Sequence, residues 1–434
     1  MTQWRVSCPF GWVPLHLVCA WMLRYSAPVD RIDVCAGGVV SVCFSPAVVI
    51  GMSRIQVLGT GVLGLSTAIA LRCAGHDVTL RGERHLTDAD ANTDPFFASA
   101  YPAASVIPHT VRSPILPRLA ADAQAVFAIL ASHAVGGVRR QTHYEISEQS
   151  QVIADHLQGM PDFRACDGAD VPILRSGAEQ ASGCSFTCFF CDMPVYGAWL
   201  AERAQALGIT WMRERITLQT VKTLTTTDVV VNCLGAGAHQ VFADVSPGVL
   251  IRGILVRAEL LGVRPPPVSY NYTPAAAVFP SPGPGPPADV YFYPRTDHCV
   301  LGGTRQTGRV NREGRFVPDH PYDGPTLRLS GVDVPQPIVE LNRELVLQLT
   351  GQRIGAVQAC EVGYRHMDLD GDGGATLTLR RLDRTGLPPA IDCFGFGGAG
   401  VTLSWGAALH VGSLIAAMES SAPLNASQLA AALV

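Results

Sequence analysis

The chain has 434 residues, 48% of them hydrophobic, with 32 Lys and Arg against 36 Asp and Glu for a formal net charge of -4. That length holds two domains or one large discontinuous one with an ample core. The near-neutral balance lacks the basic footprint that nucleic acid or an anionic membrane surface requires, so a small-molecule partner is favoured.

Residues 1–51 differ in character from the rest of the chain. "MTQWRVSCPFGWVPLHLVCAWMLRYSAPVD" holds an apolar stretch of signal-peptide length, but Pro14 and His16 interrupt it, and a membrane span needs about twenty apolar residues without such breaks. The expectation is a poorly ordered extension ahead of a natural start at Met52, with a targeting segment as the alternative. From Arg54 the pattern changes. "IQVLG" is an apolar strand, Val62 to Cys73 has helical spacing, Gly75 stops the helix, and "HDVTL" is a second strand.

At that strand-to-helix junction Gly59, Gly61 and Gly64 form G-x-G-x-x-G. Gly59 permits a tight turn, Gly61 lets the backbone approach a pyrophosphate, and Gly64 lets helix and strand pack closely. The helix N-terminus, starting at Val62, then offers free amides to the phosphates. Glu83 follows at the end of the second strand, where a carboxylate holds ribose hydroxyls. This βαβ opening predicts dinucleotide binding. It does not by itself distinguish FAD from NAD.

Further along, residues 117–133, 195–207 and 336–351 read as amphipathic helices, and "TDVVVNCLG" (227–235) as a buried strand ending in glycine. Thirteen cysteines, an odd number without regular spacing, favour a reduced intracellular compartment over a disulfide framework. The densest group, Cys184, Cys188 and Cys191, lacks a second ligand pair, so free thiols and no metal are expected. "SPGPGPPADV" (281–290) is a loop that no regular element crosses, "VYFYPRTDHCVLGG" behind it alternates as strands around a turn, and the last segment from Ala390 is strand, glycine turn and helix.

"FGFGGAGVTLSWGAALHVGSLI" (394–415) resembles the signature that closes the flavin domain in the D-amino-acid oxidase and D-aspartate oxidase family. "SVIPHT" (105–110), "VVNCLGAGA" (230–238), "YFYPRTDHCVLGGTRQ" (291–306) and "VGYR" (362–365) follow that family's motifs in order, over roughly Arg54 to Glu419. The resemblance implies an α/β fold: a discontinuous Rossmann-like FAD-binding domain (52–135, 190–240 and 390–434) and an antiparallel-sheet substrate domain (136–189 and 241–389). It implies non-covalent FAD, with Gly59, Gly61, Val62, Gly64 and Glu83 on the ADP half, Gly235 at a second glycine turn, and Gly397, Gly398 and Thr402 over the flavin ring.

By the same resemblance Arg365 clamps the substrate α-carboxylate, Tyr291 assists it through its hydroxyl, and the Gly398 carbonyl accepts a bond from the substrate amine. A planar guanidinium suits that task because it forms two parallel charge-assisted bonds to a carboxylate. The implied reaction is oxidation of a D-amino acid by hydride transfer to flavin, giving a 2-oxo acid, ammonia and, with molecular oxygen, hydrogen peroxide. His366 stands where the family usually has proline, which leaves the local backbone open.

Two residues lean towards acidic substrates. His109 and Arg305 resemble the D-aspartate oxidases more than the neutral-substrate enzymes, and a buried second carboxylate needs a cation. Against this, the segment between Val268 and Pro287 is unusually long and rich in proline, and a further arginine of the acidic-substrate enzymes has no counterpart. Ala399 replaces a frequent aromatic, and Arg295 replaces a turn glycine and is expected to point to solvent. Alternatives are a glycine or sarcosine-type amine oxidase and a non-catalytic FAD-binding protein of the same fold. The ending "QLAAALV" is not a Ser-Lys-Leu type address, so the peroxisomal location common among such enzymes stands beside a cytoplasmic one.

Overall fold

The computed structural model describes the strands Arg5–Cys8, Gly11–Pro14, Val29–Cys35 and Val39–Phe44, and residues 52–434 apart from 102, 108–110, 150–152, 263–266, 284–286 and 370–374. His109 therefore lies outside the described residues. The chain divides into two compact units, Met1–Met52 with Ala416–Ala422, and Ser53–Ile415 with Pro423–Val434. The first holds the four N-terminal strands as one sheet, in the order Gly11–Pro14, Arg5–Cys8, Val39–Phe44, Val29–Cys35.

The second unit is built on two larger sheets. One has six strands in the order Thr210–Arg213, Asp77–Gly82, Arg54–Leu58, Val229–Asn232, Ala390–Phe394, Thr378–Arg381. All neighbours are parallel except the last pair. Its central strands are buried on both faces, Val229 to Asn232 and Ala390 to Phe394 throughout, as parallel sheets sandwiched by helices require. The helix Val62–Cys73 buries Leu65, Ala68, Ile69 and Leu71 completely and packs on the first two strands of the βαβ unit. Gly75, at φ +97°, turns the chain out of it into Asp77–Gly82.

The helix Gly400–Glu419 is apolar on every side. Such a helix must be buried, and Leu403, Trp405, Ala407, Ala408, Val411 and Ile415 have no exposed surface. A Cβ on Gly406 would stand 2.0 Å from the Leu119 carbonyl oxygen, so this glycine permits the close crossing with Leu116–Ser132. Trp405 donates its indole N–H to the Tyr196 hydroxyl at 2.8 Å, which fixes it as a core residue between helices.

The other sheet has twelve strands, nine of them in the order Phe316–Pro318, Gln306–Val310, Val249–Leu261, Cys299–Gly302, Val290–Pro294, Val268–Thr273, Val138–Ser147, Ser182–Asp192, Ala103–Ser105. Arg353–Leu369 pairs along almost the whole of Val249–Leu261, setting Arg365 opposite Ile251 and Gly363 opposite Gly253. The helix Gln336–Thr350 covers one face with Ile338, Leu345 and Val346, and Asn342 accepts the Tyr270 hydroxyl. The architecture is the expected α/β one, a nucleotide-type parallel sheet beside a mostly antiparallel sheet. In Ser182–Asp192, Cys184, Phe186 and Cys188 point into one apolar cluster with Ile107. Burial pushes the Cys184 and Cys188 thiols up to about 12, so they are un-ionised packing groups.

Candidate active site

The glycine loop takes the shape that its spacing predicts. Gly59 has φ +106°, a conformation that L side chains avoid, and a Cβ there would stand 2.3 Å from the Cys233 carbonyl oxygen. A Cβ on Gly64 would stand 1.8 Å from the Gly59 carbonyl oxygen, so helix and loop touch backbone to backbone. At Gly61 the close neighbour is Ser99, whose Oγ would lie 2.8 Å from a Cβ and accepts the Val62 N–H at 3.0 Å. Ser99 carries no motif of its own and was not legible in the sequence. The first turn of the helix contains no acidic side chain, so its positive end is open to an anion. Glu83 is exposed at the end of Asp77–Gly82 and makes no hydrogen bond or ion pair among the described residues, leaving its carboxylate available to hydroxyls.

The second turn rests on a buried polar network. Asn232 donates to Asp392 Oδ1 at 2.9 Å, and Arg384 donates to both Asp392 oxygens, at 3.2 and 2.8 Å. Arg384 also pairs with Asp244 at 2.8 Å and lies over the Phe242 ring, 4.3 Å from its centroid. Above this network Gly235 has φ +56°. Gly397, at φ +53°, and Gly398 open the short turn that leads into Gly400–Glu419, where Thr402 is buried.

One cavity of about 570 Å³ reaches from Val62 and Ser99 to Gly397, Gly398 and Thr402, and on to Tyr291, Arg305 and Arg365. It thus joins the start of the helix Val62–Cys73 to the twelve-stranded sheet. Arg365 is half-buried, and its guanidinium donates to the Thr304 carbonyl at 3.4 Å and lies near the Tyr291 hydroxyl, both facing the cavity. No described carboxylate lies within ion-pair distance of it. An unpaired guanidinium facing a cavity is costly unless an anion arrives. Burial raises the Tyr291 pKa, so its hydroxyl stays protonated and serves as a donor.

Two glycines hold these side chains upright. Gly302, opposite Tyr291 on the neighbouring strand, leaves a space where a Cβ would stand 2.0 Å from Tyr291 Cζ. Gly253 lies under Arg365, where a Cβ would stand 3.2 Å from Nη2. "VLGG" and "IRGI" carried this signal, as glycines inside otherwise apolar strands mark a close approach. His366 is buried within the same strand and hydrogen-bonds the Pro247 carbonyl at 3.1 Å, so the chain runs through that position without a break.

Arg305 also faces the cavity, but its guanidinium is already taken, with Nη2 at 2.6 Å from Asp289 Oδ2. Arg295 departs from expectation. Its side chain is 5% exposed and sits beside Asp192 at 3.7 Å, donating to the Tyr101 carbonyl, because a loop carbonyl and a buried carboxylate both lie within its reach. Ser281, Pro282 and Gly283 of the proline-rich loop line the cavity mouth with His320 and Tyr322.

A parallel dinucleotide sheet and a large antiparallel sheet wrapped round one cavity define the flavin-dependent oxidoreductases of amines and amino acids. The family model for FAD dependent oxidoreductases, DAO, matches residues 54–414, and the chain belongs to that family. It is 27% identical to D-aspartate oxidase of Homo sapiens over 380 residues, covering 84% of this chain and 94% of that protein. It is 29% identical to D-amino-acid oxidase of Rubrobacter xylanophilus over 375 residues, 85% and 98% of the two chains. Among solved structures, glycine oxidase from Geobacillus kaustophilus superposes with a TM-score of 0.57 at 15% identity, over 86% of this chain and 96% of that one, which is a likeness of fold. The protein is an FAD-dependent oxidase, and the glycine loop, the open helix end and Glu83, unpaired among the described residues, fit the cofactor's ADP half.

Proposed function

We propose that the protein oxidises D-amino acids to 2-oxo acids and ammonia, with D-aspartate foremost among them and with release of hydrogen peroxide. The observation that carries this reading is Arg365, a guanidinium without a carboxylate partner among the described residues, beside Tyr291 in the cavity that also reaches the Gly397 turn. When bound there, FAD supplies the hydride acceptor and passes electrons to oxygen. The chain's own part is positioning. Arg365 and the Tyr291 hydroxyl hold the α-carboxylate, the Gly398 carbonyl accepts from the amine, and the substrate side chain extends towards Arg305. Three fixed points select one hand at Cα, and the rate comes from that orientation. Tyr291 remains a donor, so the amine must arrive already deprotonated.

Peroxide release and anaerobic bleaching of the flavin, measured with D-aspartate, D-alanine, glycine and sarcosine, test the proposal. Reduction by D-amino acids and not by sarcosine is expected; a flavin left oxidised by every D-amino acid would refute it. Arg365→Ala should lower kcat/KM by about 3 kcal/mol, roughly a hundredfold, while FAD stays bound. A variant with unchanged kcat/KM would show that the carboxylate is held elsewhere.

A further inference from the structure

Given a D-amino acid anchored by Arg365, the reading on which this rests, we infer that Asp289 determines specificity as the built-in counter-ion of Arg305, so that the distal pocket takes amide side chains alongside acidic ones. The geometry behind this is confined to one wall of the cavity. Asp289 is buried, and Arg305 Nη2 lies 2.6 Å from its Oδ2. Its other oxygen, Oδ1, is buried without a hydrogen-bond partner among the described residues. Arg305 keeps 39% of its side chain exposed, and it lines the cavity. Gly303 locks the position of Asp289 from behind, since a Cβ there would stand 2.1 Å from the Asp289 carbonyl oxygen.

A second carboxylate lies near. Glu145 accepts from Asn271 Nδ2 at 2.8 Å and contacts His143 Nε2 at 3.1 Å, and Asn271 in turn accepts the Tyr293 hydroxyl at 3.0 Å. Asn271 and Tyr293 both line the cavity. The wall therefore presents one guanidinium already matched by a carboxylate, with another carboxylate behind it. A substrate carboxylate reaching Arg305 must share the guanidinium with Asp289 or displace it, and displacement strands a buried charge. A substrate amide carries no charge to compete, and its carbonyl accepts from the remaining guanidinium N–H groups. Asp289 thus acts through Arg305, as a positioning residue, and narrows the advantage of acid over amide.

The test compares kcat/KM for D-aspartate and D-asparagine in the holoenzyme. In the wild type the two values should lie within about tenfold of each other, because the matched guanidinium offers the extra charge little. Asp289→Asn should raise the aspartate-to-asparagine ratio at least tenfold, through a lower KM for D-aspartate. In an Arg305→Gln background the same substitution should leave the ratio unmoved, an outcome that a general packing defect would not produce. If Asp289→Asn fails to fold, Asp289→Ser is read in the same way. An unchanged or lowered ratio in an enzyme that oxidises D-alanine overturns the role of Asp289 alone. Wild-type enzyme inert to D-alanine, D-aspartate and D-asparagine overturns the underlying function and this role with it.

Discussion

Gly302 shows how much of the site depends on a missing methyl group. A Cβ would enter the Tyr291 ring, 2.0 Å from Cζ and 2.2 Å from the hydroxyl. Gly302→Ala should therefore tilt Tyr291 away from Arg365, raise KM for the amino acid, and cost about 1–3 kcal/mol of stability as overpacking. Kinetics and chemical denaturation of the variant check both, and wild-type values for each would show that the ring has room to move. His366 carries a different prediction. Burial lowers its pKa below the ordinary 6.5, so the folded chain stays neutral where the unfolded chain takes up a proton. The unfolded state then binds more protons, and stability falls as pH drops below about 6.5 until the folded-state value is reached. His366→Gln should make stability less steep between pH 7 and 5, although His298 and His410, shifted the same way by burial, keep part of the slope. An identical pH profile would exclude His366 as a contributor. At this scale the family motifs pointed to Arg365 and Tyr291, and both line the cavity. Asp289 and Ser99 were not legible, since their partners are distant in the chain and only folding brings Arg305 and Val62 to them.

Elements were the most legible level. The helices expected at 117–133, 195–207 and 336–351 are Leu116–Ser132, Met193–Ala206 and Gln336–Thr350, because each buries one periodic face. The strand Ser182–Asp192 was hidden behind its cysteines. Read by alternation, Cys184, Phe186, Cys188 and Phe190 are one inward row, with thiols acting as small apolar groups. The pairing of Val249–Leu261 with Arg353–Leu369 could not be read at all, as nothing local records a partner about a hundred residues away. Within the parallel sheet, Asp392→Asn should destabilise by about 3 kcal/mol, the low end for a broken buried pair because Arg384 keeps Asp244. Denaturation of the variant, with flavin content measured alongside, tests this, and a loss under about 0.5 kcal/mol would mean the pair is solvated.

Across the whole molecule, the family match runs over residues 54–414, and the second compact unit takes in Ser53–Ile415 and Pro423–Val434. A chain beginning at Met52 should accordingly fold and bind FAD as the full chain does; an aggregated or colourless product would give residues 1–51 a structural task. The βαβ opening and the family resemblance anticipated the α/β class, and the charge balance a small-molecule partner, but the division between sheets is less simple than blocks of sequence suggest. Thr378–Arg381 joins the parallel sheet, and Ala103–Ser105 the antiparallel one. One link between the two lies at Arg353–Leu369, where Met367, two residues beyond Arg365, bridges to Phe396, one residue before Gly397. The distance from Arg365 to the Gly397 turn is therefore set by a few peptide units of extended backbone rather than by loops. Side-chain substitutions along the cavity wall leave that ruler its length, whereas inserting or deleting one residue in it should shift Arg365 against the Gly397 turn and with it any substrate that Arg365 holds.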